Sequence, residues 1–343
     1  MWFNLSNTTV KLSIPMPFSL SRYPGTVVFV DDDENYLSAI RATFPPTPHI
    51  KTFADPNEFV AYMATQIAVA KDMEAYFQGS IDRFKKSGSV AIEVLRFWNA
   101  FPDRFAMPQV VVIDYHMPNL NGLDALEKCK EWKGSRILMT GVADEALVCK
   151  AFNDKRIDYY IAKQNTNIMR QIVVTTTALL KEQNLTSWAQ WNPWYISMSP
   201  EQKLFLREPQ VAAELSTLLG GEFEHVVIGS PFGVMALGHA GGVKWIQLET
   251  TSSLDEAADL AAKNGSSNED VQSVRAGRAL TDARINAALA IVSPPLAVPC
   301  SFQVRIPRIN EMLYGALFDV SAAGAPPAEF CYTAWNARQQ PGS

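Results

Sequence analysis

Val110-Val111-Val112-Ile113-Asp114-Tyr115-His116-Met117-Pro118 is the stretch that decides the fold. Four β-branched aliphatic residues in a row suit a strand buried on both faces, and such strands belong to parallel sheets covered by helices. The run stops at an acid. Three neighbours follow the same grammar: 26–30 ends in Asp31-Asp32-Asp33, 137–139 ends at Thr140, and 159–162 ends at Lys163. Residues 49–53 read as a further strand. Helical stretches at 35–44, beyond a cap at Asp55, and over 167–182 alternate with the strands. The pattern predicts an α/β unit with a parallel sheet and helices on both faces.

Ligands of such sheets collect in the crevice outside the carboxyl ends of the strands. Asp31, Asp32, Asp114, Thr140 and Lys163 each stand at such an end, so three carboxylates, a hydroxyl and an ammonium are expected to converge. Crowded carboxylates repel unless a cation joins them, and oxygen ligands of this kind suit Mg²⁺. Beside that ion, Asp114 has the character of a nucleophile towards phosphorus, with Thr140 and Lys163 holding the phosphoryl oxygens.

These residues resemble a response-regulator receiver domain of two-component systems. Val30-Asp31-Asp32 resembles its acidic pair, and Ile113 to Pro118 with Gly122 resembles its phospho-acceptor loop. Met139-Thr140-Gly141 resembles the hydroxyl signature of the fourth strand, and Tyr160-Ile161-Ala162-Lys163 the aromatic-to-lysine ending of the fifth. The resemblance covers 25–183. It implies a flavodoxin-like sheet of order 2-1-3-4-5, an aspartyl-phosphate at Asp114, and Mg²⁺ held by Asp31, Asp32, Asp114 and the backbone carbonyl of His116. It further implies Thr140 and Lys163 as phosphoryl ligands, Tyr160 as a rotameric switch, and a sensor histidine kinase or phosphotransfer protein as donor. The catalysis it implies is confined to the receiver's own phosphorylation and dephosphorylation. Two departures stand out. Gln164 replaces the proline that follows the lysine in the family, and Asp114 lies 82 positions after Asp32.

The extra length comes from two amphipathic patterns. Phe59, Met63, Ile67, Ala70, Met73 and Phe77 form one, and Ala91, Val94, Leu95, Trp98 and Phe101 the other. They predict an αα-hairpin, inserted at about 62–106, with its polar turn over 79–89. Before the sheet, 1–24 reads as an extension with one edge strand. After it, Trp188, Trp191, Trp194 and Tyr195 mark a junction packed between domains.

Residues 185–343 read as an output domain of α+β type with an antiparallel sheet. Strands are expected at 225–228, 234–237, 243–248, 302–306 and 313–320, and helices at 254–263 and 278–290. This half carries ten Lys and Arg against fifteen Asp and Glu, the same excess of five acids as the whole chain. That balance counts against nucleic acid as the partner, although Arg275, Arg278 and Arg284 fall close enough for a small basic face. His225 and His239 lack metal-ligand spacing, and Gly229-Ser230-Pro231-Phe232-Gly233 reads as a strand connection rather than a phosphate loop. Three output classes remain: a module that binds a protein partner or itself, a transcription effector, and an enzymatic or ligand-sensing domain.

The layout is similar to response regulators of α-hydroxyketone quorum-sensing circuits, which implies a phosphorylation-dependent homodimer. Hydrophobic residues make 48% and charged residues 19% of the 343, as in ordinary globular proteins. The most apolar stretch, 287–298, is broken by Ser293, Pro294 and Pro295, so no spanning helix is expected. Without a basic and apolar leader, and with four scattered cysteines, the chain is expected to be cytoplasmic.

Overall fold

The computed structural model describes residues 18–22, 25–44, 49–141, 145–191, 198–220 and 224–339, with backbone alone at 81, 85–87 and 181–191. The strand expected within 1–24 is β1 (Ser21–Arg22). The rest of the reading of 1–17 lies outside the described residues, as do Trp194, Tyr195 and the side chains of Trp188 and Trp191.

A parallel sheet follows, built from β2 (Thr26–Val30), β3 (His49–Phe53), β4 (Pro108–Asp114), β5 (Ser135–Thr140) and β6 (Tyr159–Ala162). Its order is β3-β2-β4-β5-β6, the flavodoxin-like arrangement. Alternate residues of its central strands serve two cores. Val28, Val30, Val111, Ile113 and Leu138 face α2 (Pro56–Ser87), α4 (Gly122–Lys128) and α5 (Glu145–Asn153). Val27, Phe29, Val112, Ile137 and Met139 face α1 (Glu34–Thr43) and α6 (Ile168–Trp191). Burial on both sides explains why these strands read as unbroken apolar runs. The registers pair Val30 with Ile113, Asp114 with Met139 and Thr140 with Ala162, so the strand ends stay level along one edge.

Helix α2 runs for 32 residues from the Asp55 cap, and α3 (Val90–Ala100) follows after a turn of only Gly88 and Ser89. The polar turn expected over 79–89 is therefore shorter. The helix continues past Gly79 because its last turns make contacts that outweigh a glycine's cost of about 1 kcal/mol. The Arg83 guanidinium stacks 4.4 Å from the Tyr76 ring centre and donates to Glu93 at 2.8 Å. The hairpin covers a second sheet. Met73, Phe77, Val94 and Trp98 share one core with Ile228, Met235, Trp245 and Phe318.

That second sheet is six-stranded and antiparallel. Its order is β1, β7 (Glu224–Gly229), β8 (Phe232–Leu237), β9 (Val243–Thr250), β13 (Glu311–Val320) and β12 (Phe302–Ile306). The leading strand thus pairs with the distal sheet, Ser21 opposite Val226. Opposite the hairpin, α7 (Pro200–Phe205) and α8 (Pro209–Leu219) cover the other face with Phe205, Val211 and Leu215. Along the sheet lie α9 (Leu254–Lys263) and α10 (Asn268–Arg275). The helix expected over 278–290 divides: β10 (Ala279–Thr281) pairs with β11 (Ala297–Pro299), and only α11 (Ala283–Ala288) is helical. Leu280 is fully buried opposite Val298, and that burial holds the segment extended. Finally α12 (Tyr332–Gln339) returns to the parallel sheet, where Asn336 Oδ1 lies 3.1 Å from His49 Nδ1 and the Trp335 ring packs 4.8 Å from the imidazole. Among the described residues no helix is long and apolar enough to cross a membrane.

Candidate functional site

The level strand ends bring the separate acids together. Asp31, Asp32 and Asp114 place carboxylate oxygens within 4.8 Å of one another, with Asp31 and Asp114 buried and Asp32 exposed. Asp33 serves a different purpose: it caps α1, accepting from the backbone N–H of Asn35 at 2.9 Å and Tyr36 at 3.2 Å. Lys163 leans in from the end of β6, its Nζ 2.6 Å from Asp31 Oδ2 and 3.1 Å from Asp114 Oδ2.

The Asp114 loop is held from both sides. Tyr115 N–H donates to the Met139 carbonyl at 2.8 Å, and Gly122 N–H donates to the Tyr115 carbonyl at 3.1 Å. A side chain at Gly122 would put its Cβ 2.1 Å from the Asp114 carbonyl oxygen, so glycine alone lets α4 begin this close to the strand. Buried Thr140 has its Oγ1 3.4 Å from His116 Nδ1. Half-buried Tyr160, at the edge of the sheet, leaves its hydroxyl without a hydrogen-bond partner among the described residues. Where the family carries proline, the Gln164 side-chain amide donates to the Gly141 carbonyl and ties the two strand-end loops.

Burial pushes the Asp31 carboxyl above its usual range, and the nearby Asp114 charge adds to it; the Lys163 ammonium and the Asp33 N–H only partly counter them. Burial works against Lys163 as well, yet its hydrogen bond to Asp31 and the charges of Asp31 and Asp114 raise its pKa. One ammonium is therefore shared between two carboxylates. Asp114 Oδ1 is buried with no hydrogen-bond partner. An orphaned carboxylate oxygen in a set of hard oxygen donors fits a divalent cation, and this buried acidic cluster can bind a metal ion.

Sequence reasoning missed Tyr36. Its ring lies under the Lys163 ammonium at 5.1 Å, its hydroxyl reaches Met139 Sδ at 3.7 Å, and burial beside Asp31 and Asp114 pushes the phenol up to about 12. The available signal was its place in the first turn of a helix that starts at the acidic strand end.

The order of the sheet and the levelling of its strand ends are those of a response-regulator receiver, joined to an antiparallel α+β sheet. No family model and no curated protein matches the sequence. Among solved structures, the Legionella pneumophila response regulator LqsR is similar in fold over 95% of this chain and 97% of that one, with a TM-score of 0.66 and 20% identity. The signal receiver domain of an HD domain-containing protein from Pseudomonas fluorescens Pf-5 aligns over 47% of this chain and 98% of that one (TM-score 0.32, 18% identity). A CheY-like receiver from Methanospirillum hungatei JF-1 aligns over 46% and 95% (TM-score 0.30, 17% identity).

Proposed function

We propose that the chain is a two-component response regulator that accepts a phosphoryl group on Asp114 from a sensor histidine kinase or phosphotransfer protein. The observation that carries this reading is the orphaned, buried Asp114 Oδ1 beside the shared Lys163 ammonium. That oxygen attacks phosphorus, a P–O bond forms as the donor's P–N bond breaks, and the departing imidazole keeps the electron pair and takes a proton. Asp31, Asp32, Asp114 and the His116 carbonyl are the residues that would hold Mg²⁺, which when bound neutralises phosphoryl charge. Thr140 and Lys163 receive the phosphoryl oxygens. Drawing Lys163 and Thr140 towards that group biases the β6 edge, where the unpartnered Tyr160 hydroxyl is free to take a second position.

In this reading the receiver spans 25–184 and the output domain 185–343, which acts in the cytoplasm through a protein partner or through phosphorylation-dependent homodimerisation, in a quorum-sensing circuit. The acid excess of 185–343 supports protein rather than nucleic acid as the partner. The test is labelling by a small phosphodonor with Mg²⁺. Wild type and Asp33→Asn should label and Asp114→Asn should not; equal labelling of Asp114→Asn overturns the acceptor assignment. Light scattering of the labelled protein checks the dimer.

A further inference from the structure

Sharing no residue with the acidic crevice, a cavity of about 230 Å³ opens at the end of the antiparallel sheet, between α7, the β7–β8 turn, the end of β9 and α11. A void of this size accommodates a small organic molecule. Phe205, Phe232 and Leu248 form an apolar wall, and Glu201, Glu249 and Arg284 supply its charge.

Glu249 is the unusual member. It ends a row of alternate residues on β9 in which Trp245 Nε1 donates to Gln247 Oε1 at 2.7 Å and Gln247 Nε2 donates to Glu249 Oε1 at 2.7 Å. Arg284 Nε donates to the same Oε1 at 2.6 Å, while among the described residues Oε2 accepts from Ser253 Oγ alone, at 2.5 Å. A carboxylate oxygen has room for a further donor. Burial holds the Glu249 carboxyl above its usual range, and Arg284, Ser253 and Gln247 only partly counter it. Arg284 has no charge to spare, because its Nη2 also lies 3.4 Å from Glu256. Exposed Glu201, on the same lining, has no cationic partner among the described residues. Two carboxylates, Glu249 and Glu201, thus share the lining with one guanidinium that Glu256 also engages, beside an apolar wall.

We propose that this cavity binds a small primary amine with a short apolar body, its ammonium donating to Glu249 Oε2 and Glu201 and its carbon chain lying on Phe205, Phe232 and Leu248. A charge-assisted contact with a buried carboxylate supplies the selectivity, since a carboxylate of the same shape would meet the same excess of acid.

The experiment is calorimetric titration of the full chain with n-butylammonium, butanol and butyrate. The amine should bind, with roughly tenfold or greater preference over butanol and no heat from butyrate. Glu201→Gln, a change at an exposed position, should weaken the amine several-fold, and Ser230→Trp, which puts a bulky ring into the lining and leaves Glu249 and Arg284 themselves unchanged, should abolish binding. Butyrate binding as tightly as the amine overturns the proposal. So does undiminished amine binding by Ser230→Trp, or an absence of amine binding up to about 10 mM, where a Kd of 1 mM would be plain. Circular dichroism of each variant separates lost binding from lost fold.

Discussion

Arg104 meets Glu224 at 2.8 Å with both side chains all but closed to solvent, whereas Lys163 reaches Asp31 and Asp114 with about a quarter of its side chain exposed. In the first cluster every group is spent. Arg104 Nε and Nη2 donate to Glu224, its Nη1 lies within 3.4 Å of the carbonyls of Trp98, Phe101 and Phe330, and Trp98 Nε1 closes the other carboxylate oxygen at 2.6 Å. In the second, one ammonium divides between two acids and Asp114 Oδ1 has no partner. A saturated buried pair locks the hairpin to β7, and an unsaturated one is poised to receive something. The contrast separates scaffold from site without reference to any family.

The largest effect should come from breaking the saturated cluster. Arg104→Met leaves the Glu224 carboxylate buried and uncompensated, with an expected loss of about 3–5 kcal/mol in denaturant unfolding. Replacing both partners by apolar residues should recover most of it, because the desolvated charge disappears with the pair. A single-variant loss below about 1 kcal/mol would show that the closed cluster is not what holds the hairpin.

Next in size is an acid limb from the same seam. His225, adjacent to Glu224 on β7, is buried with Nε2 2.9 Å from the Ser19 carbonyl, and burial lowers its pKa to about 4. A base with a depressed folded pKa binds its proton more readily when unfolded. Its contribution is therefore complete above about 6.5 and is lost as pH falls from there towards 4, at about 1.4 kcal/mol per unit and about 3 kcal/mol in all. His225→Gln, which keeps a donor for Ser19, should flatten that part of the stability-pH curve; an unchanged slope would assign the limb to other groups.

The two regions also differ in how much of them the sequence exposed. The crevice was legible because a parallel sheet places chemistry where an apolar run stops, so Asp31, Asp114, Thr140 and Lys163 each announced themselves within a few residues. The saturated cluster gave no such sign: Arg104 and Glu224 lie 120 positions apart and each is a lone charge in an ordinary stretch. Helix α8 had its signal in Pro209 followed by Val211, Ala212, Leu215 and Leu219, but in a mixed half without a repeating grammar that signal competes with strand readings. Residues 278–290 failed for a tertiary reason. Ala279 to Thr281 are extended because Leu280 fills the core opposite Val298, and local propensity carries no trace of that pairing.

A third expectation compares close contacts. Alanine at Gly122 meets the Asp114 carbonyl, and alanine at Gly233 meets the Ile246 carbonyl at 2.3 Å and the Trp245 ring at 2.4 Å. Backbone does not yield cheaply, so both should cost about 1–3 kcal/mol. In the proposed function only Gly122→Ala should also slow phosphodonor labelling, because only it displaces the Asp114 loop. Equal slowing by Gly233→Ala would mean that the antiparallel sheet sets the geometry of the crevice.

The smallest expected change in stability belongs to the residue with the largest expected role. Asp114→Asn removes one of two carboxylates competing for Lys163 while the 2.6 Å contact with Asp31 survives. It also relieves repulsion between buried acids. The replaced Oδ1 had no partner to lose. The net change should stay within about 1 kcal/mol and tend towards stabilisation, the sign expected where a site is kept charged for function at the expense of stability. Asp31→Asn makes the control, since it breaks the shorter contact with Lys163 while its amide oxygen can still accept from Asp33 N–H, and it should be the more destabilising of the two. If Asp114→Asn cost as much as Arg104→Met, the crevice would be a second saturated cluster, and the physical distinction between the two regions would fail.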